Sequence, residues 1–294
     1  MNTAMPLIDA PRSLWSDAGY ALRRNRAAMS AAVLLGLLAL LVVFGPLLSP
    51  YAFDKPDWEH IAMPPTLADG HLFGTDALGR DLLSRTLQGG RMSLLVGLVS
   101  TIVSLVIGIA WGATAGYIGG RTDRIMMRIV DILYALPFMF LVILLMVLFG
   151  RQIVLIFVAI GAINWLDMAR IVRGQTLGLK QREFVEAARV SGVGTARIIL
   201  RHIVPNLLGV VVIYVTLTIP QVILVESFLS FLGLGVQEPM TSWGALVSEG
   251  AQEMENAPWM LLFPSLCLAL TLFCFNFLGD GLRDALDPRD RSRT

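Results

Sequence analysis

Charge is what this sequence has least of: 15% of its 294 residues are Asp, Glu, Lys or Arg, where a water-soluble domain carries roughly 25%. With 55% hydrophobic residues and a mean hydropathy of +0.69, the chain is written for a bilayer. Lysine is nearly missing too. The two present, Lys55 before Pro56 and Lys180 before Gln181, cannot serve a phosphate-cradling loop, which needs Lys followed by Ser or Thr. ATP hydrolysis by this chain is therefore excluded. No HExxH metal helix, GxSxG elbow or glycine-rich dinucleotide turn occurs, so no intrinsic enzymatic chemistry is expected. Cys267 and Cys274 lie in one apolar run, too far apart to bridge and wrongly spaced for a metal or redox pair. They read as small packing residues. A net charge of +1 leaves no field that would draw nucleic acid.

In place of charge the chain has long uncharged windows, at residues 27–53, 92–120, 132–150, 152–166, 203–225 and 256–279. A helix needs around 20 apolar residues to cross about 30 Å of hydrocarbon. The fourth window is short of that and must extend past Asp167 toward Ile171. Six spans place four bases before the first, three in the loop 117–128, seven in 170–201 and four after the last, which is 18 on one side against five on the other. Positive charge stays inside, so both termini are expected in the cytoplasm. The first window is too long for a cleavable signal and lacks a small-residue cleavage site. It reads as a retained anchor.

The stretch 51–91 is the longest polar one outside, and a short amphipathic helix is expected in it, capped by Thr75 or Asp76. Asp76/Arg80 and Asp81/Arg85 read as acid-base pairs four apart on that helix. His60, Asp69, His71 and Asp76 could be read as cation ligands, but no tight spacing enforces a metal geometry. Residues 227–236, SFLSFLGLGV, are apolar yet about half a span long. They are expected to dip in and turn back at Gly233 and Gly235, or to pack as an interfacial helix.

Ion-coupled transport would call for ionisable groups at the membrane midplane. Asp131, Asp167 and Glu226 all sit at window edges, which makes such a secondary transporter the weaker alternative. Polar residues within spans are Asn164, Thr216, Thr218, Gln221 and Asn276. These are candidates for lining a path, or for satisfying helix–helix contacts.

Between the fourth and fifth spans lies REFVEAARVSGVGTARIILRHIVPNLLG, residues 182–209. It is too polar for lipid and too patterned for a linker. A helix over 183–190 places Phe184, Ala187, Ala188 and Ser191 on one small, apolar face, and Gly192 and Gly194 end it. A second short helix follows, with Pro205 in the first turn of the fifth span, where its missing N–H costs least.

Glu186-Ala187-Ala188, three residues, Gly192, and then Ile203-Val204-Pro205 resemble the cytoplasmic loop of binding-protein-dependent ABC importer permeases. That family reads Glu-Ala-Ala, three residues, Gly, and later Ile-x-Leu-Pro. Here the isoleucine stands one place later, His202 occupies its usual position, and Val204 replaces leucine. FGTDALGRDLLSR at 73–85, AGYIGGRTDRIMMRIVDI at 115–132, WLDMARIVRGQTL at 165–177, the text of 226–248 and GDGLRDALDP at 279–288 narrow the resemblance to the peptide and nickel branch. Within it the chain is most similar to oligopeptide-type C subunits.

The resemblance implies an all-α membrane protein with six transmembrane helices: an N-terminal anchor and a five-helix type I importer core. The expected organisation is a cytoplasmic start and anchor over 1–50, an extracytoplasmic loop over 51–91, the core over 92–281 and a cytoplasmic tail over 282–294. Within the core lie a coupling loop at 170–205 and an extracytoplasmic re-entrant segment at 226–258. It further implies a bacterial inner membrane and, as partners, a homologous permease subunit, two cytoplasmic ATPases and an extracytoplasmic solute-binding protein. ATP and Mg belong to those ATPases, and no cofactor or metal to this chain. Phe184, Glu186, Ala187, Ala188, Gly192 and Pro205 are then the ATPase-coupling residues. The cargo implied is an oligopeptide, with dipeptide, glutathione or nickel as alternatives.

Overall fold

A computed structural model describes residues 14–150 and 153–286. Residues 151 and 152, those before Leu14 and those after Leu286 lie outside it, including most of the expected tail. The described residues form α1 (Leu14–Arg24), α2 (Arg26–Leu48), α3 (Leu82–Ile118), α4 (Gly120–Ala135), α5 (Phe138–Phe149), α6 (Ile153–Leu179), α7 (Glu183–Val190), α8 (Thr195–Ile198), a π turn (Ile199–Ile203), α9 (Val204–Phe231), α10 (Trp243–Gln252) and α11 (Trp259–Leu286). The protein is all-α and multi-pass. Among the described residues four helices, with α8, the π turn and α9 counted as one, are long and apolar enough to cross a bilayer, and the bent α4–α5 pair taken as one span makes a fifth. α6 adds 27 helical residues that run through Asp167 to Leu179, so the weak fourth window does extend as its shortness required.

The closest packing in the bundle is α3 on α6. Gly108, Gly112 and Gly116 recur every fourth residue along one face of α3, the small-xxx-small spacing that lets membrane helices approach. A Cβ at these positions would stand 2.5 Å from the Met168 side chain, 2.4 Å from the Ala169 carbonyl and 2.8 Å from Thr176. No larger residue fits there without separating the helices.

Three elements differ from the sequence expectation. The third span is not one straight helix: Pro137 lacks an N–H and forces Leu136 into extended backbone (φ −74°, ψ 137°), bending α4 against α5 by 85°. Nor is the fifth span set apart from the short helix before it: Pro205 does lie in the first turn of α9, but helix runs from Thr195 to Phe231 without a break. Just before Pro205 it widens into the π turn, in which the Val204 N–H reaches Ile199. That adjustment accommodates a proline ring that would crowd the carbonyl four residues back.

The third difference is the expected surface helix of 51–91. Helix starts only at Leu82, capped by Asp81, whose Oδ2 accepts from the Ser84 N–H at 2.8 Å, and continues as α3 for 37 residues. Thr75 and Asp76 cap nothing. They lie in the loop that leads to it.

In segment 226–258 the first six residues are the end of α9 and not a separate dip. α9 closes in a left-handed turn at Gly233 (φ +74°), with Leu234 N–H bonded to Leu229 and Gly233 N–H to Ser230. Gly235 serves close approach instead, since a Cβ there would meet Ser230. α10 then packs among α3, α9 and α11. Its Trp243 is fully buried, donating from the indole to the Thr86 carbonyl at 2.9 Å and from the backbone to Ser93 Oγ at 3.1 Å.

Candidate functional site

α7 is a two-sided helix whose halves have different tasks. Val185 and Ala188 point inward and share one apolar cluster with Ala113 and Tyr117 of α3, Met168 and Val172 of α6, and Leu207 and Val211 of α9. Phe184, Glu186, Ala187 and Ser191 point outward. The face expected for docking is thereby divided. Ala188 belongs to the chain's own core, and Val185, which the spacing argument passed over, anchors it.

Two hydrogen bonds finish the helix, Gly192 N–H to Arg189 and Val193 N–H to Ala188, the αL closure that favours glycine. Gly192 has φ +75°, with nothing within 4 Å of where a Cβ would stand. Gly194 opens α8 in ordinary extended backbone (φ −66°, ψ 150°). Pro205 lies in the first turn of α9 and is exposed. The outward surface of the loop is thus Phe184, Glu186, Ala187 and the Gly192 turn, set on a base that three long helices share.

A second constellation gathers residues that spacing along the chain did not connect. Asp76 is almost completely buried and accepts from Arg80 Nε at 2.7 Å and from an Arg85 terminal nitrogen at 2.5 Å. Arg85 also grips Glu249 of α10 through both terminal nitrogens, at 2.7 and 3.1 Å. Arg80 reaches Glu238 at 2.9 Å. Asp81 does not pair with Arg85: its other oxygen holds His71 Nδ1 at 2.9 Å. Burial alone would push the Arg80 guanidinium down, but hydrogen bonds to Glu238 and Asp76 and the charges of Asp76 and Glu249 outweigh it and hold it above its usual value. This network locks the 73–85 motif to the loop and helix that follow α9, and it leaves two arginines on the base-poor side fully compensated.

The His60 and His71 rings stand 5.6 Å apart, but among the described residues His60, Asp69, His71 and Asp76 form no group that could hold a metal ion. Asp76 and His71 are held as above, and His60 Nδ1 bonds Asp57 at 2.9 Å. That bond lowers the Asp57 carboxyl and raises the His60 imidazole, so the contact is strongest with His60 protonated and weakens as pH rises through its folded pKa. Asp69 meets Tyr51 through its backbone carbonyl.

Of the polar residues within spans, Thr216 and Thr218 bond their own helix at 2.7 and 2.8 Å. Asn164 does likewise at 3.0 Å and also lines a cavity of about 290 Å³ in the α4–α5 elbow, beside Asp167 and Tyr134. Gln221 and Asn276 are exposed on the bundle. Asp131 pairs with Arg170 at 2.9 Å. Glu226 is completely buried where α9, α3 and α10 meet, accepting from Ser230 at 2.6 Å and from Ser93 at 3.4 Å. Its place at a window edge in the sequence gave no sign of that enclosure.

Residues 85–292 match the family described as "Binding-protein-dependent transport system inner membrane component". The chain belongs to this family. Residues 13–65 also match the "N-terminal TM domain of oligopeptide transport permease C". The oligopeptide transport system permease protein OppC of Escherichia coli K12 is 59% identical over 95% of this chain and 93% of its own length. That of Haemophilus influenzae is 58% identical over 95% and 90%. Among solved structures, a chain of the MetNI methionine ABC transporter in inward-facing conformations superposes with a TM-score of 0.57, covering 70% of this chain and 96% of that one at 21% identity. This last likeness speaks for the type I permease fold alone. The 73–85 motif, with the buried network built from it, precedes or opens the first family match, and the α7–α8 hairpin lies well inside it.

Proposed function

We propose that this chain is the non-catalytic permease subunit of an ATP-driven importer of oligopeptides, one half of a translocation path in a bacterial inner membrane. The observation that carries the reading is α7: an outward face of Phe184, Glu186 and Ala187 on a helix whose inward face is welded to the bundle. The relatives named for oligopeptide transport supply the cargo class. A cytoplasmic ATPase seated on that face would move α7, and Val185 and Ala188 would pass the displacement to α3, α6 and α9 through their shared cluster. α8 and α9 form one uninterrupted rod, so the hairpin is also joined covalently to a span without a slack linker. ATP and Mg stay with two ATPase subunits, a homologous permease supplies the other half of the path, and a solute-binding protein delivers the peptide outside.

Cells lacking this subunit should lose uptake of labelled oligopeptides and keep nickel uptake, and the intact gene should restore it. Unchanged peptide uptake, or loss of nickel uptake instead, would overturn the cargo assignment. The orientation is tested separately in a version without Cys267 and Cys274. A cysteine at exposed Gln252 should react with an impermeant thiol reagent applied outside, and one at exposed Thr195 should not. The reverse pattern would refute the placement of both termini in the cytoplasm, which rests on the 18-to-five distribution of bases.

A further inference from the structure

Between α4 and α6 lies an open groove of about 1000 Å³ whose wall is dominated by arginine: Arg121, Arg124 and Arg128 of α4, with Arg170 and Arg173 of α6. Two of the five are committed. Arg173 forks onto Asp123 at 2.5 and 2.6 Å, and Arg170 pairs with Asp131 at 2.9 Å while lying over the Tyr134 ring. Among the described residues no carboxylate comes within 4.0 Å of Arg121, Arg124 or Arg128. These three are exposed and fall at three- and four-residue spacing on one flank of α4, spanning roughly 10 Å of helix.

The neighbouring flank is aliphatic and equally unpartnered. Ile125, Ile129 and Ile132 are 63%, 40% and 58% exposed, and the chain continues from there into the wholly apolar α5. In the orientation proposed above, the base-rich start of α4 faces the cytoplasmic side, where positively charged loops collect. Behind the arginines, Trp111 donates from its indole to the Met126 carbonyl at 3.1 Å and meets the buried Trp165 edge-on, which fastens α4 to α3 and α6. A stripe of guanidinium groups beside a stripe of isoleucine matches one class of molecule: a phosphodiester with acyl chains attached. An acidic protein surface would satisfy the arginines and leave the isoleucines against water.

We propose that the α4–α6 groove holds an anionic phospholipid of the cytoplasmic leaflet, its phosphate on Arg121, Arg124 and Arg128 and its chains along Ile125, Ile129 and Ile132. The proposal rests on the orientation given above. Bound there, the lipid would brace the hinge at Pro137, because α4 is the arm on which the elbow turns.

The test uses the complete transporter in phosphatidylcholine vesicles doped with photoreactive phosphatidylglycerol, or with photoreactive phosphatidylcholine as reference, and maps the labelled peptides. Wild-type complex should be labelled within 121–132 by the anionic probe well above the neutral one. Replacing all three arginines by glutamine should cut that labelling roughly tenfold or more, since each base near an anionic surface contributes on the order of 1 kcal/mol. Replacing them by lysine should restore most of it. Equal labelling by both probes in the wild type, or undiminished labelling of the glutamine variant, would overturn the site. So would a glutamine variant that keeps its lipid but sheds the ATPase or the partner permease, which would make the groove a protein contact. ATP-dependent peptide uptake in the same vesicles reports the proposed function independently.

Discussion

Gly192→Val is expected to reduce ATP-driven import severely while the chain still folds and inserts. The residue sits at φ +75°, where an ordinary L-residue costs roughly 1–2 kcal/mol and a β-branched one is an outlier. No atom of this chain lies within 4 Å of the new Cβ, so the bundle is spared a clash and the strain stays in the turn. Relieving it means reopening the end of α7 and displacing Phe184, Glu186 and Ala187 from the surface offered to the ATPase. An energy of that size corresponds to about five- to thirtyfold in docking. Glu186→Lys should act alike by reversing the exposed charge. Gly194→Ala is the internal control, because its φ of −66° suits any residue and its surroundings are also open. Membrane abundance, co-purified ATPase and peptide uptake should be measured together. Normal ATPase retention and normal uptake for Gly192→Val would remove this turn from the mechanism.

Arg85→Ala should damage the protein in the opposite way, through folding and not coupling. Removing one partner of a buried ion pair costs roughly 3–5 kcal/mol, because the remaining charge is left uncompensated. Arg85 and Asp76 are each about 1% exposed, while the Glu249 side chain is 35% exposed and can recover part of its solvation. The expected result is a lower melting temperature of the purified complex and less chain in the membrane. Arg85→Lys should fall between, since an ammonium keeps the charge but cannot hold Glu249 with two parallel bonds. Adding Glu249→Gln to Arg85→Ala should return part of the lost stability. A melting temperature unaffected by Arg85→Ala would contradict the network's role.

These two sites also mark what could be read along the chain and what could not. The α7 hairpin is local: its helix, turn and glycine fall within ten consecutive residues, where propensity and capping rules operate, so both helix bounds and the left-handed turn were legible. Which face of α7 turns inward was not, because that depends on Tyr117, Met168 and Leu207 arriving from three other helices. The ion network joins residues 158 and 164 positions apart. No spacing rule pairs Arg85 with Glu249, and the nearer Asp81 made a plausible helical partner that the loop geometry gives to His71. Pro137 and Pro205 were visible as helix punctuation. Their different outcomes are a bend at Pro137, with Leu136 in extended backbone, and a π turn just before Pro205. Glu226 misled most, since a carboxylate beside a window's edge looks interfacial until Ser93, Ser230 and α10 close over it.

This chain is expected to carry peptide only when an ATPase works on its α7 hairpin. The most direct measurement is uptake of a labelled oligopeptide into vesicles containing the four-subunit transporter and its solute-binding protein, comparing enclosed ATP, no nucleotide, and an imposed proton or sodium gradient alone. The expected result is uptake with ATP whether or not a gradient is present, and none without ATP. Uptake that survives without ATP and collapses with the ion gradient would contradict it and favour ion-coupled transport.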